Sequence, residues 1–211
     1  MKRIAKYIAV VLAALAAISC NEQTKKKVLL PNISGKAGEV IVVIGKADWE
    51  GLVGNTLRDT LACECPYLPQ REPLYTLVNV APAGFTSLFQ VHRNIIVMNI
   101  SNTVTEPGVV FKKDGWAAPQ CVIYVNAINA ESAAQLIMDY SAKIKATLEQ
   151  AERDRVIANA TRYEELKLRP IVTKLFGGTP HFPSGYQLKK KTDDFVWITY
   201  DTQFTMQGIL M

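Results

Sequence analysis

His92, Arg93 and Asn94 form the strongest cluster of polar functional groups in the sequence. An imidazole, a guanidinium and an amide placed side by side could bind a carboxylate or a phosphate, with Arg93 supplying two parallel donors. Adjacent residues of a strand face opposite sides of a sheet, so His92 and Asn94 would share a face while Arg93 points elsewhere. Two interpretations stay open, a ligand-binding site or a helix-to-strand junction held by side-chain hydrogen bonds.

Beyond the N-terminal segment, the cysteines of the chain are Cys63, Cys65 and Cys121. Two cysteines separated by one residue cannot complete a tetrahedral site, and neither His92 nor His181 stands at ligand spacing from them. We therefore expect no metal site and no cofactor. The thiols are interpreted as buried or partly buried, and the alternative is a disulfide from Cys121 to Cys63 or Cys65.

Other catalytic patterns are missing or misplaced in this sequence. Residues 34–38 (SGKAG) have the glycines and the lysine of a phosphate loop. A phosphate loop follows a strand and opens a helix, whereas this segment precedes a predicted strand. The chain has no Gly-x-Ser-x-Gly pattern that would mark a nucleophilic serine. A hydrolytic site would have to be assembled from residues that are distant in sequence.

The first twenty residues have the layout of a bacterial lipoprotein signal. Lys2 and Arg3 precede an apolar run at 7–18, and small residues stand directly before Cys20. The run is shorter than the roughly 20 residues that a membrane-spanning helix needs. We predict a signal peptide at 1–19, lipidation of Cys20 with acyl chains such as palmitate, and a tether at 20–29. Because each buried methylene contributes about 0.8 kcal/mol, two or more chains would hold the protein to the membrane.

The charge of the chain gives little support to a nucleic-acid partner. The net charge is +5, but three of the basic residues lie in the signal segment, so the mature chain is nearly neutral. We expect no nucleic acid as a partner. The expected partners are the membrane, through the lipid on Cys20, and an envelope protein, a peptide or a glycan.

Hydrophobic periodicity predicts an α+β fold with a mixed sheet packed by helices. The predicted elements are strands at 40–44, 75–80, 94–100, 120–125, 186–190 and 195–200, helices at 48–63, 85–89 and from Asn129 to about 151, and a helical stretch to about 176 that Pro170 breaks or kinks. Asp48 and Asn129 are the predicted helix caps, and residues 102–119 are predicted to form a loop. The start of the chain is thus β-α-β-α-β.

These elements predict a single α+β domain over residues 30–211. The last apolar run, at 206–211, has no polar terminator and would leave an unpaired sheet edge. We therefore expect the sequence to be an N-terminal fragment of a longer protein.

Several short segments also match a known family in order. They are Leu30-Pro31 with 35–40, Trp49 with Gly51, Gly54 and 57–58, then 68–70, 72–74, Phe89 with 92–95, 183–186 and 195–197. In these segments the chain resembles the family catalogued as domain of unknown function 4837, lipoproteins typical of Bacteroidetes. The resemblance implies an envelope lipoprotein without an assigned activity, and it supplies no functional residues. Lys25–Lys27 stand where such bacteria place the acidic run linked to surface export, which favours an outer-membrane position facing the periplasm.

The sequence as a whole predicts a membrane-anchored lipoprotein of the cell envelope that acts as a non-enzymatic binding or structural module. The alternative function is an envelope hydrolase. A cleft that brings His92 or His181 within hydrogen-bond reach of a cysteine, a serine or a carboxylate would favour the enzyme. An apolar or flat groove without such groups would favour the binding module.

Overall fold

The computed structural model describes residues 29–211 of the chain. Its strands are β1 Glu39–Val43, β2 Thr76–Val80, β3 Asn94–Ile100, β4 Gly108–Lys113, β5 Cys121–Ala127, β6 Gln187–Lys191, β7 Val196–Asp201 and β8 Met206–Leu210. Its α-helices are α1 Lys46–Glu50, α2 Leu52–Leu61, α3 Ser87–Gln90, α4 Ala130–Asp139, α5 Ser141–Arg162 and α6 Arg169–Phe176. The predicted signal peptide and Cys20 lie outside the described residues.

The strands form two separate sheets. One has five strands in the order β2-β1-β3-β5-β4, and the other has three strands in the order β6-β7-β8. In the large sheet β1, β2, β3 and β5 are parallel, and β4 pairs antiparallel with β5. The small sheet is antiparallel throughout. The predicted α+β class with a mixed sheet packed by helices is therefore confirmed.

The inner parallel strands β1, β3 and β5 are apolar and rich in β-branched residues, because both faces of the sheet bury their side chains. Helices α2, α4 and α5 cover one face and share a core with the strands, in which Leu57, Ile137 and Leu148 are fully buried. The other face is covered by the segment around α3, which contributes Phe85 and Phe89, and by Trp116. The phenyl and indole rings of Phe85 and Trp116 meet edge to face at 5.3 Å.

Residues 102–119 are not entirely a loop as predicted, because they contain strand β4. This strand pairs with β5 in the register Phe111↔Ile123. Val109 and Phe111 pack against the helix-covered core, while Val110 is half exposed at 52%. An edge strand needs only one apolar face, so its short alternation is easily mistaken for a loop when proline, glycine and charged residues flank it.

The predicted helix over 48–63 is divided at Gly51 into α1 and α2. Asp48 lies inside α1 and is not its cap, which is Gly45. The guanidinium of Arg58 stabilises the corner, since its Nη2 donates to the Trp49 carbonyl at 3.2 Å and the group stacks over the Trp49 ring. A Cβ at Gly54 would lie 1.8 Å from the same carbonyl oxygen, so the close approach of the two helices requires glycine there.

The helical region after β5 consists of two helices and extends beyond the predicted end at 151. Asn129 caps α4 as predicted, because its Oδ1 accepts the backbone N–H of Ser132 at 2.8 Å. Helix α4 ends at Asp139, and after Tyr140 a second helix, α5, runs from Ser141 to Arg162. Pro170 lies in the first turn of α6, where its missing N–H costs no helix hydrogen bond.

Helix α6 packs against the small sheet. Their shared core contains Leu168, Val172, Phe182, Val196 and Ile198, all of them buried. A single β-bridge between Glu164 and Pro183 links the end of α5 to the loop before β6. Within residues 29–211, no helix is both long enough and apolar enough to cross a membrane.

Candidate functional site

His92 lies at the entry to β3, at the edge of the large sheet where its parallel strands begin. The imidazole is buried, with Nδ1 3.1 Å from the Asn94 carbonyl oxygen and Nε2 3.5 Å from Oε2 of Glu39. The same Glu39 oxygen accepts the backbone N–H of Lys36 at 2.8 Å. This N–H, together with His92, holds the pKa of Glu39 below its ordinary value against the opposing effect of burial.

The ring of His92 also fills the space above Gly35. A Cβ at Gly35 would lie 2.2 Å from Nε2 of His92, and Gly35 has a φ of +90°. Only glycine combines that backbone conformation with that approach. The His92 side chain therefore holds the 34–39 turn against the start of β3, as in the junction interpretation.

Asn94 is fully buried, and all the hydrogen bonds of its side chain are to groups of the protein. Its Nδ2 donates to Oε1 of Glu152 at 2.8 Å and to the Glu39 carbonyl at 3.0 Å, and its Oδ1 accepts from Nη1 of Arg155 at 3.0 Å. Asn94 thus connects β1, β3 and α5. Its side chain organises the region and has no donor left for a ligand.

Arg155 completes this network from helix α5. Its Nη2 donates to the Arg93 carbonyl at 2.8 Å, its Nε donates to the Pro119 carbonyl at 3.1 Å, and its Nη1 lies 3.0 Å from Oε1 of Glu152. Burial lowers the pKa of Arg155, and the charge of Glu152 opposes that shift. The guanidinium is therefore a structural clamp on the segments that enter β3 and β5.

Arg93 does not point away from Asn94 as predicted. Its Nη2 lies 3.1 Å from Oε2 of Glu152, the carboxylate that also binds Asn94. The alternation rule fails because β3 begins only at Asn94, so Arg93 precedes the strand. Among the residues that the structure describes, the buried Nε–H of Arg93 has no hydrogen-bond partner.

Arg93, Glu152 and Arg155 line a cavity of about 550 Å³ between helix α5 and the segments around residues 32–37 and 118–119. Arg162, Asn159 and Tyr163 contribute from the end of α5. We call this cavity the arginine cleft. Three guanidinium groups face it with one carboxylate, so its potential favours a carboxylate or a phosphate.

Sequence reasoning missed Glu152 and Arg155, which lie directly beyond the predicted helix end at about 151. A signal was present in the spacing. The buried face of α5 carries Ile144 and Leu148, and Arg155 lies seven residues after Leu148 on the same face. A charge that continues a buried stripe indicates a buried polar network, because an unpaired charge is rarely buried.

The thiols of Cys63, Cys65 and Cys121 are free, so the alternative of a Cys121 disulfide is not realised. Cys121 is buried at the start of β5, and burial raises the pKa of its thiol to about 11. Within residues 29–211, no three His, Cys, Asp or Glu side chains are grouped so that they could hold a metal ion.

His181 lies away from the arginine cleft, in the loop before β6. Its Nδ1 is 3.1 Å from Oε2 of Glu164 and 3.1 Å from Nη2 of Arg169. Arg169 binds Glu164 through two parallel contacts of 3.0 Å, and this pairing lowers the pKa of Glu164. The cluster holds the 177–185 loop to the end of α5 and the start of α6.

No curated protein matches the chain. No solved structure matches it either. A family model described as Domain of unknown function (DUF8532) matches residues 33–161. The matched segment contains the large sheet and the Arg155 network, and it ends in the last turn of α5 before the small sheet.

This match overturns the resemblance to domain of unknown function 4837, which rested on the order of short segments that are not specific individually. The family model covers more than half of the chain and includes His92, Arg93, Asn94, Glu152 and Arg155. The chain therefore belongs to the DUF8532 family of domains of unknown function.

Proposed function

We propose that the protein is a cell-envelope lipoprotein whose folded part is a non-enzymatic binding module for a ligand with an anionic group. The observation that carries the proposal is the arginine cleft, whose lining contains three arginines, Arg93, Arg155 and Arg162, and one acidic residue, Glu152. The ligand class is an acidic peptide, an acidic glycan or the carboxylate of an envelope protein.

Some side chains of the arginine cleft hold its structure together, and others are available to bind a ligand. Arg155 and Glu152 use their polar atoms within the protein, so they fix the geometry. Arg93 lines the cleft with a side chain that is 16% exposed, and in the part of the chain that the structure describes only its Nη2 is paired with a side chain, at 3.1 Å from Oε2 of Glu152. Arg162 makes no hydrogen bond to another side chain within residues 29–211, and its guanidinium stacks on Tyr163 at 5.5 Å. Arg93 and Arg162 are therefore the proposed ligand contacts.

The test of ligand binding uses the purified full chain and small anions of known chemistry. Isothermal titration with N-acetylalanine, glucuronate and glycerol 1-phosphate should detect binding of at least one anion, whereas the neutral N-acetylalaninamide should not bind. Arg162→Gln should weaken that binding by about tenfold, the value of one charge-assisted hydrogen bond.

Arg153→Gln is the matched control, because Arg153 lies on the same helix and does not line the cleft. Equal loss in both variants would show a general charge effect and would contradict the proposal. Binding of none of the anions at millimolar concentration would also contradict it.

The membrane attachment is proposed from residues 1–20 of the sequence, with the protein in the outer membrane and facing the periplasm. Mass spectrometry of the mature N-terminus should find an acylated Cys20 with no residue before it. Cys20→Ala should abolish acylation and processing at this position, so that the chain is recovered without a lipid and with residues 1–19 attached. Unchanged processing and membrane association in that variant would refute the anchor.

A hydrolase is the second candidate function, because His181 lies within hydrogen-bond reach of the Glu164 carboxylate. A carboxylate that orients a histidine is part of many nucleophilic sites. In this structure, however, Nδ1 of His181 is equally close to the Arg169 guanidinium, and none of the hydrogen bonds among residues 29–211 joins His181 to a serine or cysteine. Ester hydrolysis that His181→Gln abolishes, with anion binding intact, would favour the hydrolase.

A further inference from the structure

A second cavity, of about 570 Å³, lies between helix α5 and the β4 edge of the large sheet. We call it the edge groove. It is lined by Phe111, Cys121, Lys143, Ala146 and Ala151 among others, and it meets the arginine cleft at Pro119 and Arg155. Its volume is within the range of roughly 300–1,000 Å³ that is typical of small-molecule sites.

The walls of the edge groove are mostly apolar. Phe111 projects from β4 on the side of the helix-covered core, and α5 presents Ala146 and Ala151, whose small side chains leave the space open. Cys121 adds a buried thiol, and burial raises its pKa to about 11, so it is neutral near pH 7. An apolar segment of a ligand would replace water along these walls.

The rim of the edge groove is cationic. Nζ of Lys143 lies 4.8 Å above the Phe111 ring, and neither Lys143 nor Lys112 forms an ion pair with the residues that the structure describes. The acidic residues at the rim are already engaged, since Asp154 lies 4.0 Å from Lys113 and Asp114 accepts the backbone N–H of Gln120. Among residues 29–211, the ammonium groups of Lys112 and Lys143 are therefore unpaired, and they lie at the rim of an apolar groove.

We propose that the edge groove binds an amphipathic monocarboxylate of the fatty-acid class. The hydrocarbon chain lies against Phe111, Ala146 and Ala151, and the carboxylate pairs with Lys143 at the rim. This ligand differs from that of the arginine cleft, since its affinity comes mainly from apolar contact. The two proposals are independent.

The ligand chemistry is tested by titrating the purified full chain with hexanoate, octanoate, 1-octanol and acetate. Octanoate should bind more tightly than hexanoate, by about two- to fourfold for each added methylene. 1-Octanol should bind about fivefold more weakly than octanoate because it lacks the charge, and acetate, which lacks the hydrocarbon chain, should bind more weakly than hexanoate. Absence of octanoate binding, or equal binding of octanoate and 1-octanol, would overturn the proposal.

The location of the ligand is tested by two substitutions with matched controls on the same helix. Ala146→Trp fills the groove and should abolish octanoate binding, whereas Ala142→Trp, at an exposed position outside the groove, should not change it. Lys143→Glu should weaken octanoate binding by about fivefold or more, whereas Lys145→Glu makes the same charge change outside the groove.

Octanoate binding that survives both Ala146→Trp and Lys143→Glu would place the ligand elsewhere and refute the assignment. Lys143→Glu alters an exposed side chain, so it decides the question even where Ala146→Trp disturbs folding. None of these four substitutions lies in the arginine cleft. Failure here would therefore leave the proposed anion site intact.

Discussion

Arg155 is a buried guanidinium that contacts the entry to β3, the loop before β5 and a carboxylate of its own helix. Arg155→Ala removes a charge from a network that still contains buried Asn94 and partly buried Glu152. Breaking such a network costs about 3–5 kcal/mol, since the partners are left unpaired. In a protein of this size the loss corresponds to a fall in Tm of roughly 6–20 °C.

Thermal unfolding followed by circular dichroism measures this effect, with Arg153→Ala as the control. Arg153 is one turn away from Glu149, half exposed at 55%, and pairs only within α5. Its substitution should change the free energy of unfolding by less than about 1 kcal/mol. Equal Tm values for the two variants would show that the Arg155 network does not stabilise the fold.

For the contacts of the Arg155 network, the sequence identified the residues at the start of β3 but not their partners on α5. His92, Arg93 and Asn94 stand together in the sequence and were identified as a cluster, and they do form a hydrogen-bonded junction. Their partners Glu152 and Arg155 are about sixty positions away. Local periodicity does not indicate which distant charged residue contacts a given amide. These partners could therefore be identified only from the structure. The use of Arg93 for ligand binding stays a prediction.

The corner between α1 and α2 depends on the absence of a side chain at Gly54. Two effects of Gly54→Ala oppose each other, because alanine favours a helix by about 1 kcal/mol while its Cβ would overlap the Trp49 carbonyl. Because the backbone cannot move as easily as a flexible side chain, the steric overlap should outweigh the gain in helix propensity. We expect a net destabilisation of about 1–3 kcal/mol.

Urea unfolding measures the stability of Gly54→Ala, with Gly84→Ala as a control in which the added Cβ has space. A Cβ at Gly84 would make only an ordinary contact of 4.0 Å with Val80, so that variant should be close to the original protein in stability. A stabilised Gly54→Ala variant would mean that α1 and α2 separate without cost.

Strands and helices were predictable where their pattern is strong. Strand β3 has the predicted bounds of 94–100, and the cap at Asn129 was identified because a side-chain acceptor preceded an apolar stripe. Strand β4 was missed because one apolar face over six residues resembles a loop. The divisions at Gly51 and Tyr140 depend on packing between helices, which a single periodic pattern does not contain.

Acid should destabilise the whole protein, because three carboxylates have a lowered pKa in the folded state. A backbone N–H of Lys36 lowers the pKa of Glu39, Arg169 lowers that of Glu164, and Lys189 lowers that of Asp201. Between their folded and unfolded pKa values the unfolded chain binds more protons. The stabilisation is therefore present above about pH 4.3 and is lost as the pH falls through the folded pKa values.

Urea midpoints measured from pH 7 to pH 3 should decrease over the acidic part of this range. In Glu39→Gln the decrease should be smaller, since the amide oxygen can still accept the Lys36 N–H but does not titrate. A midpoint that is independent of pH below 4 would contradict the role of these carboxylates.

The α+β class of the whole molecule followed from the order of its elements, whereas the division into two sheets did not. The sequence shows that strands cluster near the end of the chain, but pairing partners are not visible in strand patterns. The structure assigns β6, β7 and β8 to a sheet with a core of its own, in which Phe182 and Val172 are buried.

The contacts between α5 and the start of β3 also constrain the order in which the chain can fold. The hydrogen bonds of Arg155 to Asn94 and to the Arg93 carbonyl join residues 61 and 62 positions apart. Contacts with such separation pay a large loop-closure entropy and slow the folding rate. Strand β1 can pair with β3 before α5 is present, and the Glu39 carbonyl can then accept one hydrogen bond from the Asn94 amide. The other two partners of the Asn94 side chain, Glu152 and Arg155, lie on α5. The hydrogen bonds of this buried side chain are therefore completed only when α5 packs against the sheet.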